Sequence, residues 1–319
     1  MKLRLCLFAL LISYGTVAQI SSLTSLPNQQ SYSANQRESF VQDLKSSTTV
    51  FVLQYDDYKQ LPLFDSAIKQ SWTYTPYVIV TPQQLMSYKA KEGYSFFSLG
   101  GYYTGSYDEV PHLCYDLWYP ILNKKGGVKK QFFFSRTLLY TQPWPSSALK
   151  EYISGKNKYD LAPVNIAQNN NHIYNWSPQL LKGYLRTVNN MLATNTIQHI
   201  NEDFLTDGTG LLRKDTLYIP DYNILNSEPG LADDEPGVTE TTAREVYPYP
   251  VRFVSFEQLE LLLASNARNI NYLVFVRDGR NKYISVFSSK NGLIYGSYNT
   301  LSVHLKNKDL ERLAKVVAS

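Results

Sequence analysis

The stretch HLCYDLW (112–118) sets His112, Cys114 and Asp116 two residues apart. Side chains alternate along a strand, so a strand here puts all three on one face, with Leu113, Tyr115 and Leu117 on the other. A cysteine between a histidine and an aspartate has the ingredients of an activated thiolate or a metal triad. Successive side chains on one strand face stand side by side, however, and do not converge on a point. A fourth ligand would have to come from elsewhere. The competing reading is a lone thiol packed as a small hydrophobe, the commoner role of an unpaired cysteine.

A second cluster, Asp233, Asp234 and Glu235, offers hard oxygen ligands for calcium. It lacks the regular alternation of a calcium loop and lies between Pro229-Gly230 and Pro236-Gly237, which predicts a solvated loop. TDGTGLLRKD (206–215) carries two glycines without a phosphate-binding pattern. The chain has no H-E-x-x-H, G-x-S-x-G or C-x-x-C motif. The expectation is therefore no metal, no cofactor and no assigned catalytic residue, with the two clusters above as the candidates to be checked.

The elements that must carry these residues begin after MKLRLCLFALLISYGTVA (1–18), where two basic residues precede an apolar run and a small-residue end, the pattern of a secretory signal peptide. Its removal takes Cys6 away and leaves Cys114 alone, so no intramolecular disulfide is expected. The net charge is +4, with Lys2 and Arg4 among its contributors, which argues against nucleic-acid binding. Lys124, Lys125, Lys129 and Lys130 read as the solvated turn of a hairpin. No later apolar segment is long enough to span a membrane. The 26 tyrosines suit a sheet-rich fold, or aromatic platforms for a glycan or peptide.

Residues 19–34 are polar and aperiodic and read as a flexible lead-in. A helix is predicted over 35–46 with Asn35 as its cap, then a strand at 48–55, a helix at 62–72, a strand at 77–80 and a helix at 81–93. Three long strands follow, at 94–103, 112–122 and 129–142. Helices are expected at 144–154 and 177–195, the second with an apolar stripe through Leu181, Tyr184, Leu185 and Val188. The first order then returns: strand 215–222, helix 238–247, strand 251–254, helix 255–266 and three strands joined by Asp278-Gly279 and Asn291-Gly292 turns.

TPYVIVTPQQLM (75–86) laid on YPVRFVSFEQLE (249–260) matches Pro76 with Pro250, Val80 with Val254, Gln84 with Gln258 and Leu85 with Leu259, all 174 residues apart. An internal duplication is the best explanation. The predicted fold is α/β to α+β. Two related modules, 35–142 and 196–319, each close their own core, and a helical connector spans 143–195.

The order carried by VFVLQY (50–55), the helix 62–72 and YVIV (77–80) resembles the small α/β modules of bacterial envelope proteins, the TolB N-terminal type and the CsgG type. That resemblance implies a non-enzymatic role in envelope assembly or binding. The function expected is thus an exported, non-catalytic binding or scaffold protein, periplasmic or at the cell surface, with an envelope protein or glycan as partner. The alternative is an exported hydrolase acting on envelope polymers, which would require two carboxylates, or Cys114 with a histidine, to converge in a pocket. A subunit of a larger secretion or adhesion complex is a third reading, and an exposed apolar patch would mark it.

Overall fold

A computed structural model describes residues 20–22, 32–104, 110–141, 173–195, 203–224, 238–278, 281–300 and 304–319. The first half runs β1 (Ile20–Ser22), α1 (Ala34–Lys45), β2 (Thr48–Val52), α2 (Tyr55–Tyr58), α3 (Leu61–Ser71), β3 (Tyr77–Val80), α4 (Met86–Lys89), β4 (Tyr94–Thr104), β5 (Val110–Leu122) and β6 (Val128–Leu138), and is followed by α5 (Pro178–Ala193). The second half runs β7 (Phe204–Leu205), a 3-10 helix (Asp207–Arg213), β8 (Leu217–Pro220), α6 (Glu240–Val246), β9 (Val251–Val254), α7 (Phe256–Ser265), β10 (Asn271–Asp278), β11 (Asn281–Ser288), β12 (Gly292–Thr300) and α8 (Asn307–Ala318). The fold is mixed α/β.

The two sheets have the same topology. One is ordered β1-β6-β5-β4-β2-β3, the other β7-β12-β11-β10-β8-β9. In the first sheet β2, and in the second β8, is parallel to both of its neighbours, and the three-strand meander beside it is antiparallel. The correspondence extends to an irregularity. Between Leu117 and Trp118 the register with β6 jumps from Ser135 to Phe133, and between Val286 and Phe287 the register with β12 jumps from Tyr295 to Leu293. Both halves therefore carry a one-residue bulge at the same place, a feature that chance assembly of two α/β units would not reproduce. The ring pair beside it is also repeated, Phe96 stacked on Trp118 at 4.5 Å and Tyr272 on Phe287 at 5.6 Å.

Several expectations need correction. Ile20–Ser22, expected in a flexible lead-in, is an edge strand paired with Thr137, Arg136 and Ser135 of β6. Helix α1 is capped by Ser33 and not by Asn35, because Ser33 and Gln36 form a reciprocal capping box. The helix expected over 81–93 shrinks to Met86–Lys89, although its counterpart α7 keeps Phe256–Ser265. The apolar stripe decides this: four residues after buried Leu259 comes buried Leu263, whereas four after buried Leu85 comes Lys89. The strand expected over 129–142 stops at Leu138, where Asn175 Oδ1 takes the Tyr140 N–H at 2.7 Å. Helix α8 was not foreseen, although Leu310, Leu313, Ala314 and Val317 form a buried stripe at helical spacing. The helix expected at 144–154 falls outside the described residues.

The two halves do not close separate cores. Most of their buried apolar side chains form one cluster that spans both halves, with Tyr140 against Phe275 at 5.5 Å and Tyr174 on Tyr222 at 6.0 Å, while Val50, Val52, Val80, Leu85, Phe96 and Trp118 pack as a smaller separate one. The expected connector helix α5 is central to this core. Trp176, just before it, stacks on Tyr115 of the first sheet at 4.0 Å, while Tyr184 meets Phe287 of the second at 5.4 Å. Leu180, Leu181 and Leu185 are fully buried, each contributing about 1.5–3 kcal/mol. Helix α8 follows the second meander as α5 follows the first, but its outer face carries exposed Lys308, Glu311 and Lys315.

Candidate binding cleft

His112, Cys114 and Asp116 do share a face of β5, and the structure uses that face for packing. Both oxygens of Asp116 are taken by Arg136, which donates from Nε and from a terminal guanidinium nitrogen at 2.8 Å each, with both side chains buried. The guanidinium lies 5.0 Å from the ring centre of Tyr102. Burial opposes the charge on Arg136, but paired Asp116 outweighs it and pushes its pKa up. Cys114 is fully buried, which raises its thiol well above the ordinary value, so at neutral pH it is a thiol and not a thiolate. Burial, with Arg277 nearby, lowers His112 to about 4. The face that alternation leaves to solvent is thus a second packed layer. Among the described residues no three His, Cys, Asp or Glu side chains gather as a metal site. Asp233, Asp234 and Glu235 lie outside the described residues.

Two other carboxylates are held at unusual pKa values on either side of the start of α5. Asp57 accepts from Trp176 Nε1 at 3.0 Å and from the Gln54 N–H at 3.2 Å, and burial raises it to about 6 despite those bonds. Glu260 accepts from Ser177 Oγ at 2.7 Å, and burial raises it to about 7 against the pull of Lys182. Ser177 is at the same time the cap of α5 through the Leu180 N–H. Each carboxylate fastens one of two consecutive residues, Asp57 from the first half and Glu260 from the second.

An open cleft of about 490 Å³ lies where β8 and β9 begin. Its lining is Thr216, Arg244, Tyr247, Pro248, Tyr249, Pro250, Val251 and Arg252. The chain leaves α6, passes through Tyr247-Pro248-Tyr249-Pro250 with a bend at Tyr249 and enters edge strand β9, so the wall is a proline-stiffened segment. Tyr247 and Tyr249 meet edge to face at 5.4 Å. Tyr247 is 1 % exposed and its hydroxyl has no hydrogen-bond partner; burial raises its pKa. Arg252 is exposed, and Arg244 is held only by a solvent-exposed ion pair to Glu240 on its own helix.

The aligned place in the first half is built differently. There buried Thr75 meets Thr49 at 2.6 Å and accepts from Trp72 Nε1 at 3.0 Å, Thr49 meets Ser95 at 2.9 Å, and Ser95 meets Ser47 at 2.8 Å. The 174-residue alignment puts Tyr249 on Thr75 and Arg252 on Val78. A buried hydroxyl in one copy is thus replaced in the other by a half-buried ring, and an apolar side chain by an exposed guanidinium. Sequence reasoning passed over this segment; the signal was the Tyr-Pro-Tyr-Pro run flanked by two arginines.

No helix among the described residues is long and apolar enough to cross a membrane. The sequence matches no protein-family description and no curated protein at a significant level. Among solved structures, a PelC dodecamer from Paraburkholderia phytofirmans is similar over 36 % of this chain and 94 % of its own, at 17 % identity and a TM-score of 0.23. At that score it carries no argument.

Proposed function

We propose that this chain is an exported, non-catalytic binding or scaffold protein of a bacterial cell envelope, and that the cleft at 244–252 is where it takes its ligand. One observation carries the reading: the described cleft is lined by two tyrosines, two prolines and two arginines, with no carboxylate, histidine or cysteine among its walls. Such a surface suits holding a ligand by ring contact and charge, and it lacks the paired carboxylates or Cys-His pair that the hydrolase reading calls for. The shape suits an extended polymer laid across an open trough, and a glycan of the envelope is the partner class proposed. Export rests on the leader-like residues 1–18.

The alternative, an exported hydrolase, is favoured by Asp57 and Glu260, whose raised pKa values of about 6 and 7 suit a general acid. Both are occupied in anchoring the start of α5, which makes a structural role the better account.

Affinity electrophoresis of the chain in gels containing a panel of polysaccharides tests the proposal, together with an assay for new reducing ends. Retardation by at least one polymer, weakened in Tyr249→Ala and without turnover, is the expected result. Unchanged mobility in every gel, or steady release of reducing ends, would overturn it.

A further inference from the structure

Resting on the reading of the cleft as a glycan site, the geometry points to an acidic, carboxylate-bearing polysaccharide as its ligand. Three features of the walls converge on that class.

The charges are of one sign. Arg244 and Arg252 are the ionisable lining groups besides the tyrosines, and no acidic side chain shares the walls with them. Arg252 is exposed at the start of β9, and the partner of Arg244, Glu240, lies one helical turn away in an ion pair open to solvent. Exposed pairs of this kind contribute little, so the Arg244 guanidinium exchanges partners at small cost. A guanidinium fork matches a carboxylate with two parallel hydrogen bonds, which a neutral sugar does not offer.

The rings supply the rest of a sugar site. Tyr249, Pro248 and Pro250 offer apolar faces, and Tyr247, only 1 % exposed, backs them from below. The walls also discriminate against the other extended polymer able to lie along an edge strand. A peptide added to β9 has only the four residues Val251–Val254 to pair with, since the prolines at 248 and 250 just before it carry no backbone donor to extend the ladder.

The test is titration of the full chain with polygalacturonate and with the same polymer after reduction of its carboxyl groups, by calorimetry at low and at 0.15 M salt. The acidic polymer is expected to bind at least tenfold more tightly than the reduced one, with the margin shrinking as salt rises. Arg252→Gln should abolish that margin, and Tyr249→Ala should weaken both polymers by about threefold to tenfold, the loss of a ring contact. Thermal unfolding of each variant confirms that it is folded. Equal affinity for the two polymers, or a margin that survives Arg252→Gln with Arg244→Gln, would overturn the acidic assignment while leaving glycan binding in place. Binding of a proline-free extended peptide with no binding of either polymer would overturn both.

Discussion

Thr187 Oγ1, on the helix α5 that follows the first meander, accepts a hydrogen bond from the backbone N–H of Leu293 in β12 at 2.8 Å while donating to the Gly183 carbonyl at 2.8 Å. The contact ties α5 to the second sheet and leaves no room beside it. Gly292 has φ +79°, and a Cβ there would lie 2.6 Å from Thr187 Oγ1 and 2.9 Å from the Thr187 backbone nitrogen. Gly292→Ala is expected to destabilise by about 2–3 kcal/mol, combining the left-handed backbone with a clash against backbone. A denaturant midpoint indistinguishable from the parent would show that this seam yields easily.

One turn earlier, a Cβ on Gly183 would collide with the hydroxyl of Tyr272, which is fully buried and has no hydrogen-bond partner. Tyr272→Phe should therefore be neutral or stabilising by up to about 1 kcal/mol, since it deletes an unpaired buried oxygen. It should also recover part of the loss caused by Gly183→Ala. A double-mutant cycle measures the coupling, and strict additivity would contradict the packing described.

The ion pair of Asp116 with Arg136 is buried on both sides, so removing one partner strands the other. Asp116→Ala is expected to cost about 3–5 kcal/mol, and Asp116→Leu combined with Arg136→Met to recover most of it. Urea unfolding of the three proteins decides, and a single variant no worse than the double one would be inconsistent with a desolvated pair.

Cys114 should resist alkylation in the folded protein at pH 8, because its thiol is enclosed and its pKa lies well above the ordinary value. Intact-mass analysis after iodoacetamide treatment is expected to show modification at this position only when denaturant is present. Rapid labelling of the native chain would reopen the reading of Cys114 as a reactive group.

The contribution of Asp57 and Glu260 to stability should fall as pH rises from about 4 to about 7, while that of His112, lowered to about 4, rises as pH climbs to its ordinary value of 6.5. Asp57 and Glu260 hold their protons up to about 6 and 7 in the folded protein and lose them near the ordinary carboxylate values when unfolded. For these two carboxyls the folded state binds more protons in that window, so their part of the slope of unfolding free energy against pH is negative and outweighs the single opposite part of His112. The groups facing Glu260 are Ser177 and Lys182; those facing Asp57 are Gln54, Asp56, Tyr115 and Trp176. Glu260→Gln keeps an oxygen for Ser177 and removes that part of the slope, which melting curves between pH 4 and 8 will register.

Local pattern was enough to read the sequence as two α/β units with related order. Pro76 and Pro250, each one residue before an edge strand, and the cap-and-helix signals after those strands depend on residues close in the chain, and period and capping chemistry are local. The 174-residue offset falls on β3 and β9 residue for residue, Tyr77–Val80 on Val251–Val254. Where local pattern failed, neighbours distant in sequence had decided. Edge strand β1 exists because β6 offers it an unpaired edge, and α5 became core because a second sheet covers its outer side. The face of β5 expected to be free for chemistry was closed by Arg136, twenty residues away, since the pleat says which side chains share a face but not what packs on it. The cleft belongs to the same class: most of its wall is the single run 247–252, yet Thr216 joins it from β8's side, and at the place of Tyr249 the first half buries Thr75 against Thr49, a difference that only the packing of each copy shows.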